Sequence, residues 1–185
     1  EPGDYEYGAY LGLTSGSFFG TPDYSNGDLA FTGFYRKAFI NRPAIGVGFQ
    51  ASEFAQTLTA QTQFIFANGS RLQLDTSASH SEAVGAGYGV AIGFDHVLDF
   101  GMTADAWSVV VDYVSEDFAT IGNPLANNQT SWSISSGYSR RFSPRWLGNI
   151  NASYRAPRDR QRDDSYSINA STTYRISPEW STQFG

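Results

Sequence analysis

The chain has 185 residues, 12 Lys+Arg against 18 Asp+Glu, a formal charge of -6 and no cysteine, which sets one domain as the prior and excludes a disulfide frame, a thiol nucleophile or a thiolate metal site. With 14 Phe, 11 Tyr and 4 Trp it is too aromatic for a disordered segment. A pI near 4.7, with Lys37 the only lysine, leaves no concentrated positive surface for nucleic acid.

No stretch approaches the roughly 18 apolar residues that a membrane helix needs. A basic start followed by an apolar segment is also missing, so a signal peptide removed earlier or an internal piece is expected. What fills the chain is period-two alternation, the pattern of strands with unlike faces. In chain order the apolar positions run Tyr5/Tyr7/Ala9/Leu11/Leu13, Leu29/Phe31/Gly33/Tyr35, Ile45/Val47/Phe49/Ala51 and Leu58/Ala60/Thr62/Phe64/Phe66. Leu72/Leu74/Thr76/Ala78, Val84/Ala86/Tyr88/Val90/Ile92/Phe94 and Trp107/Val109/Val111/Tyr113 follow. Then come Trp132/Ile134/Tyr138/Phe142, Trp146/Ile150/Ala152/Tyr154 and Tyr166/Ile168/Ala170/Thr172/Tyr174/Ile176. These make ten strands, and Trp180/Thr182/Phe184 begins an eleventh. An all-β, antiparallel chain is predicted.

The connections alternate in kind. Asn41 to Pro43, Asn68-Gly69, Ser143-Pro144 and Ser177-Pro178 are short, and Asp95 to Asp105 must supply the remaining short connection, with some strand extension. Between them lie Ser15 to Gly27, Glu116 to Thr130 and Ala156 to Asp164, long and polar or charged, whereas the connections near Ser52 to Glu53 and Ser79 to Glu82 are brief. Short turns on one side and longer loops on the other describe an outer-membrane barrel. Ser143-Pro144-Arg145-Trp146 returns as Ser177-Pro178-Glu179-Trp180, which predicts a repeated hairpin unit.

A soluble β-sandwich, with one face packed and one wet, is the competing reading. Three features favour lipid. The alternating segments run to about 10 residues, the length of a tilted membrane strand, where soluble strands average about 5 to 6. Rings gather toward the ends of the apolar face: Tyr5, Tyr35, Trp107, Tyr113, Trp132, Trp146, Tyr154, Tyr166, Tyr174 and Trp180, as suits side chains with one dry and one wet end. The opposite face is Ser, Thr, Asn, Gln and Gly, suited to a watery lumen. Its lumen candidates are Gln50, Gln61, Gln63, Gln73, Asp75, Asp112, Arg141, Asn151, Asn169 and Arg175. Eleven strands do not close a bacterial single-chain barrel, which has an even count, and the last segment, ending at Phe184-Gly185, is too short to span. A portion of a larger barrel is therefore expected.

The stretches Asp23-Tyr24-Ser25-Asn26-Gly27-Asp28, Phe31-Thr32-Gly33-Phe34-Tyr35-Arg36 and Gly46-Val47-Gly48-Phe49-Gln50-Ala51-Ser52 resemble the barrel of fimbrial outer-membrane ushers of the chaperone–usher pathway. Asp117-Phe118-Ala119-Thr120-Ile121-Gly122-Asn123, the Ser-rich Trp132 to Phe142 strand and the Arg155 to Asp164 loop share the likeness. The opening Pro2-Gly3-Asp4-Tyr5-Glu6-Tyr7-Gly8 is similar to the segment after the usher plug. The sequence departs from the family at Ala38 to Arg42 and from His96 to Asp105. The resemblance implies a barrel of about 24 strands in the bacterial outer membrane, conducting folded pilus subunits. Its partners would be the lipid bilayer with lipopolysaccharide, pilus subunits and a periplasmic chaperone, with no cofactor and no covalent chemistry. The plug and periplasmic domains that recruit subunits have no counterpart in this sequence. A smaller self-sufficient porin or adhesin-like barrel of about 12 strands, its long loops forming the binding surface, is the first alternative.

Residues that could carry chemistry each have a simpler reading. His80 and His96, read as lying in a loop and a turn, have no second ligand at metal spacing and no nucleophile elbow beside them, so no catalytic or metal residue is assigned; a membrane-embedded esterase or protease is the enzyme alternative. Gly85-Ala86-Gly87-Tyr88-Gly89 imitates a dinucleotide loop, yet it continues an alternating strand with no helix after it. There small residues would let backbone or a plug approach closely, or ease bending of the wall. The mixed-sign run Arg158 to Asp164 reads as a solvated loop rather than a phosphate or calcium site. The Asn-x-Ser/Thr triplets at Asn68, Asn128, Asn151 and Asn169 read simply as small polar residues.

Overall fold

The computed structural model describes residues 3–14, 16–18, 21–23, 27–40, 43–99, 103–159 and 161–185. Its strands are β1 (Tyr5–Leu13), β2 (Gly16–Phe18), β3 (Thr21–Asp23), β4 (Leu29–Lys37), β5 (Ala44–Ala51), β6 (Ala55–Ile65) and β7 (Arg71–Ser81). They continue as β8 (Gly85–Asp99), β9 (Ala104–Val114), β10 (Thr130–Ser143), β11 (Trp146–Pro157), β12 (Ser165–Arg175) and β13 (Ser181–Phe184). Eleven of them form one open antiparallel sheet in the order β1-β4-β5-β6-β7-β8-β9-β10-β11-β12-β13, so every neighbour in the sheet is the next sheet strand in sequence. β2 and β3 make a separate two-stranded hairpin inside the first long connection, where the sequence shows no sustained alternation. No described residue is helical.

The register keeps like faces together, as a half-apolar strand demands. Leu11 pairs with Phe31 and Tyr7 with Tyr35; Val47 pairs with Ala60 and Phe49 with Leu58. Trp146 pairs with Tyr174, Ile150 with Ala170, Ala152 with Ile168, and Tyr154 with Tyr166.

Turn chemistry fixes the ends. Between β6 and β7, Gly69 takes φ +81°, a conformation open to glycine at little cost. Its N–H donates to Phe66 O at 2.9 Å, and Phe66 N–H donates to Ser70 O at 2.8 Å. The two Ser-Pro-x-Trp turns use one device twice: Ser143 Oγ accepts from Arg145 N at 3.3 Å and Ser177 Oγ from Glu179 N at 3.3 Å. A serine hydroxyl that holds the amide two residues on is a turn-former.

Several boundaries move. β8 runs on to Asp99 and β9 starts at Ala104, so most of the expected 95–105 connection is strand, and residues 100–102 lie outside the described residues. His80 is in β7 and His96 in β8, not in a loop and a turn; both strands continue through the polar residues expected to end them. Pro2, residues 24–26, Asn41 and Arg42, and Arg160 also lie outside the described residues.

The chain divides into two compact units, residues 1–64, 74–90 and 113–129, and residues 65–73, 91–112 and 130–185. Both bury little apolar surface. Among the described residues the buried hydrophobic side chains are Ala55, Ala119 and Ala126, all in the first unit, while the buried polar ones are Thr57, Gln63, Ser70, Ser79 and Ser81. The large apolar side chains are on the outside instead: Leu11, Val47 and Leu58 in the first unit, and Trp146, Ile150 and Ile168 in the second. The oily face of these strands therefore packs against no second sheet or helix among the described residues.

Candidate functional site

In the first unit the site is the polar face of β5, β6, β7 and β8. Alternation puts Gly48 and Gln50, then Thr57, Thr59, Gln61 and Gln63, then Asp75, Ser79 and Ser81, then Gly87 and Gly89 on this side. Side-chain amides and charges bridge strands across it, from β4 past β5 to β6 and from β6 to β7. Arg36 Nη2 donates to Gln63 Oε1 at 2.7 Å, and Gln61 Nε2 donates to Asp75 Oδ1 at 2.9 Å. Gln50 stands opposite Thr57 in the register. Two rings break the pattern, because Tyr10 stacks with Phe34 at 6.5 Å on the polar side. Gly8 makes room for them: a Cβ there would sit 2.6 Å from Phe34 Cε1.

Residues 115–129, which cover nearly all of the long loop expected from Glu116 to Thr130, turn back over this polar face. Ala119 is completely buried and is held from two strands. Its N–H donates to Ser79 Oγ at 3.0 Å, and its carbonyl accepts from Thr57 Oγ1 at 3.4 Å. Ser81, 1 % exposed, donates to Pro124 O at 2.7 Å. Over β8 the Phe118 backbone crosses Gly87 so closely that a Cβ on Gly87 would overlap it. The ring of Phe118 continues toward Gly89, 3.9 Å from where a Cβ would stand.

The loop is also braced from within. Asn128 Nδ2 donates to the carbonyls of Ser115 at 3.1 Å, Glu116 at 3.0 Å and Phe118 at 2.7 Å. Asn128 N–H donates to Ala126 O at 2.6 Å, and Ala126 takes φ 47°, a left-handed conformation unusual for alanine. Buried polar groups in this region are thus met by the loop backbone, as the cost of burying them unpaired requires.

In the second unit the polar face holds Asp112, Arg141, Asn151, Asn169 and Arg175. Ser133 Oγ donates to Asp112 Oδ2 at 2.9 Å, Asn151 stands opposite Asn169, and Ser153 and Ser167 share a hydrogen bond of 2.9 Å. A shallow polar depression of about 360 Å³ lies among Ser108, Ser135, Gly137, Asn151, Ser167 and Asn169. Gln73 Cβ lies 4.0 Å from the Cβ position of Gly93. Arg175 is at the end of β12, where its N–H donates to Arg145 O. At the end of the strands next to the short turns, Arg71 chelates Asp95 Oδ2 through Nε at 2.9 Å and Nη2 at 2.6 Å.

The aromatic set sits toward strand ends. Tyr5 and Tyr35 are near the short-turn ends of their strands in the first unit, and Tyr113 is next to the long loop. In the second unit Trp107, Trp146 and Tyr174 lie toward short turns, while Trp132, Tyr154 and Tyr166 lie toward long loops. Trp180 falls within the last turn, its carbonyl accepting from Ile176 N at 2.9 Å and Ser177 N at 3.2 Å. Of the histidines, His96 has Nδ1 2.6 Å from Ser70 Oγ and makes a T-shaped ring contact with Trp107, and His80 is exposed. Among the described residues, no three His, Asp or Glu side chains gather as a metal site would require.

Sequence reasoning missed Thr57, Ser79, Ser81 and Asn128, which anchor the folded-back loop. The available signal was the Gly85 to Gly89 run, read as a place of close backbone approach. Compared with known proteins, the chain matches no family model, no curated protein and no solved structure.

Proposed function

We propose that this chain forms part of the wall of an outer-membrane β-barrel channel of usher type, its apolar face toward lipid and its polar face toward a watery passage for pilus subunits. The carrying observation is the inverted distribution of side chains: Ile168 is 73 % and Tyr166 82 % exposed, whereas Ser79 and Ser81 are buried. In water that arrangement forfeits the main driving force of folding; in lipid it places hydrocarbon against hydrocarbon and satisfies backbone groups within the sheet. Ring pairs at both ends of β11 and β12 support the reading. Trp146–Tyr174 and Tyr154–Tyr166 stand eight residue steps apart on β11 and β12, with small and aliphatic outer positions between them, about 26 Å along the strand and roughly 20 Å along the normal at a tilt of about 40°. Eleven antiparallel strands leave the two edge strands pointing the same way, so they cannot pair with each other in antiparallel fashion.

A second reading, a small self-sufficient channel for solutes, is favoured by the loop over the polar face, which narrows the passage on that side. Electrophoresis in detergent tests the common core of both: a folded barrel migrates differently before and after boiling. Identical mobility, with the full protein recovered in the soluble fraction, rejects both. Copurification of chaperone–subunit complexes supports the usher reading, and their absence from an otherwise conducting barrel supports the small channel.

A further inference from the structure

We infer that residues 115–129 are a fixed internal strap that sets the aperture of the passage, not a mobile surface loop; this rests on the barrel reading above. Four strand positions are specialised to receive it. Thr57, Ser79 and Ser81 present hydroxyls to the loop backbone at Ala119 and Pro124, and Gly87 is stripped of a side chain where Phe118 crosses. All four share the polar face, so the strap lies on the side assigned to the lumen. Were it a solvated loop, these strand residues would be exposed; instead Thr57, Ser79 and Ser81 are buried beneath it.

The strap occupies volume that a solute would otherwise cross, and it lowers the polar area open to water along β6 to β8. Its anchors are neutral hydrogen bonds, each contributing modestly and together holding one conformation. Shortening the loop therefore widens the passage without disturbing the outer face, while covalent fixing leaves the passage as it is.

The chain has no cysteine, so an engineered pair is the only possible bridge. The S79C/A119C pair joins the two residues whose side chain and amide already meet at 3.0 Å. The full protein is reconstituted in planar bilayers in three forms: unaltered, with residues 117–127 replaced by a short Gly-Ser linker, and as S79C/A119C. Expected are a severalfold larger unit conductance for the shortened loop, and ready oxidation of the cysteine pair with conductance unchanged on adding or removing reductant. Equal conductance for the unaltered and shortened forms, both heat-modifiable on gels, overturns the strap while the barrel stands. Rapid hydrogen exchange at the Ala119 amide of the folded protein also overturns it. If the unaltered protein is neither heat-modifiable nor conducting, the barrel reading fails and the inference with it. Should the shortened form not fold, exchange at the Ala119 amide decides by itself.

Discussion

The backbone of Phe118 runs across Gly87 with no room for a β-carbon between them. Gly87 has ordinary strand geometry, so what it contributes is the missing side chain rather than a special φ. A small position in a strand is thus explained by a neighbour distant in sequence.

Replacing Gly87 with leucine should lift the strap off β8. Overpacking of this kind costs about 1 to 3 kcal/mol, and here the obstacle is backbone rather than a side-chain tip. The expected result is rapid cleavage of the 115–129 loop by added protease in the native protein, with the remaining barrel intact. Unchanged resistance would mean that the loop does not rest on Gly87.

Asn128 joins three carbonyls of the strap through one amide nitrogen. Asn128→Ala should cost about 1 to 3 kcal/mol in loop stability. Asn128→Asp should be worse, because a carboxylate only accepts hydrogen bonds and would face three carbonyl oxygens. Hydrogen exchange at the Ala119 amide reads both effects, and the order Asn, Ala, Asp of decreasing protection is expected.

Ile168 and Asn169 are adjacent in β12 and point to opposite faces. Arginine at Ile168 should cost about 2 to 4 kcal/mol if that face meets the middle of a bilayer, whereas arginine at Asn169 should cost little. Val109→Arg should behave like Ile168→Arg. Unfolding in lipid vesicles measures the difference. Equal tolerance at the two neighbours would contradict the assignment of faces.

Arg140 approaches Asp105 at 3.6 Å and lies over the Phe142 ring at 5.6 Å. By alternation both charged residues are on the apolar side, near the short-turn ends of β9 and β10. In water such a partly exposed pair contributes about 0 to 1 kcal/mol. Facing lipid, the loss of one partner is costlier than the loss of both. Asp105→Ala should therefore destabilise more than the double change Asp105→Ala with Arg140→Leu, measured in vesicles. The reverse order would indicate that this end of the strands is fully hydrated.

The eleven sheet strands and most of the short turns were legible in the chain because alternation is a local property. Two residues of period fix the face of Ile168 or Gln61 regardless of what lies beyond. Turn signals at Asn68-Gly69 and the Ser-Pro-x-Trp pair are equally local, since the chemistry that bends the chain is carried by the turn residues themselves. β8 outran its expected end because His96 and Asp95 look like turn residues while being tolerated in a strand, His96 by its contact with Ser70.

What the strand pattern left open was where the loop after β9 would go. Residues 115–129 are polar enough for open water, and Thr57, Ser79 and Ser81 look like any other hydroxyls on a wet face. Their partners are distant along the chain, 40 residues between Ser79 and Ala119 and 62 between Thr57 and Ala119. Only folding of the sheet brings β6, β7 and β8 side by side, so that three scattered hydroxyls and one bare glycine become a single bed for the loop. Alternation therefore settled which side of each strand is polar, and tertiary structure decided that part of that side is covered.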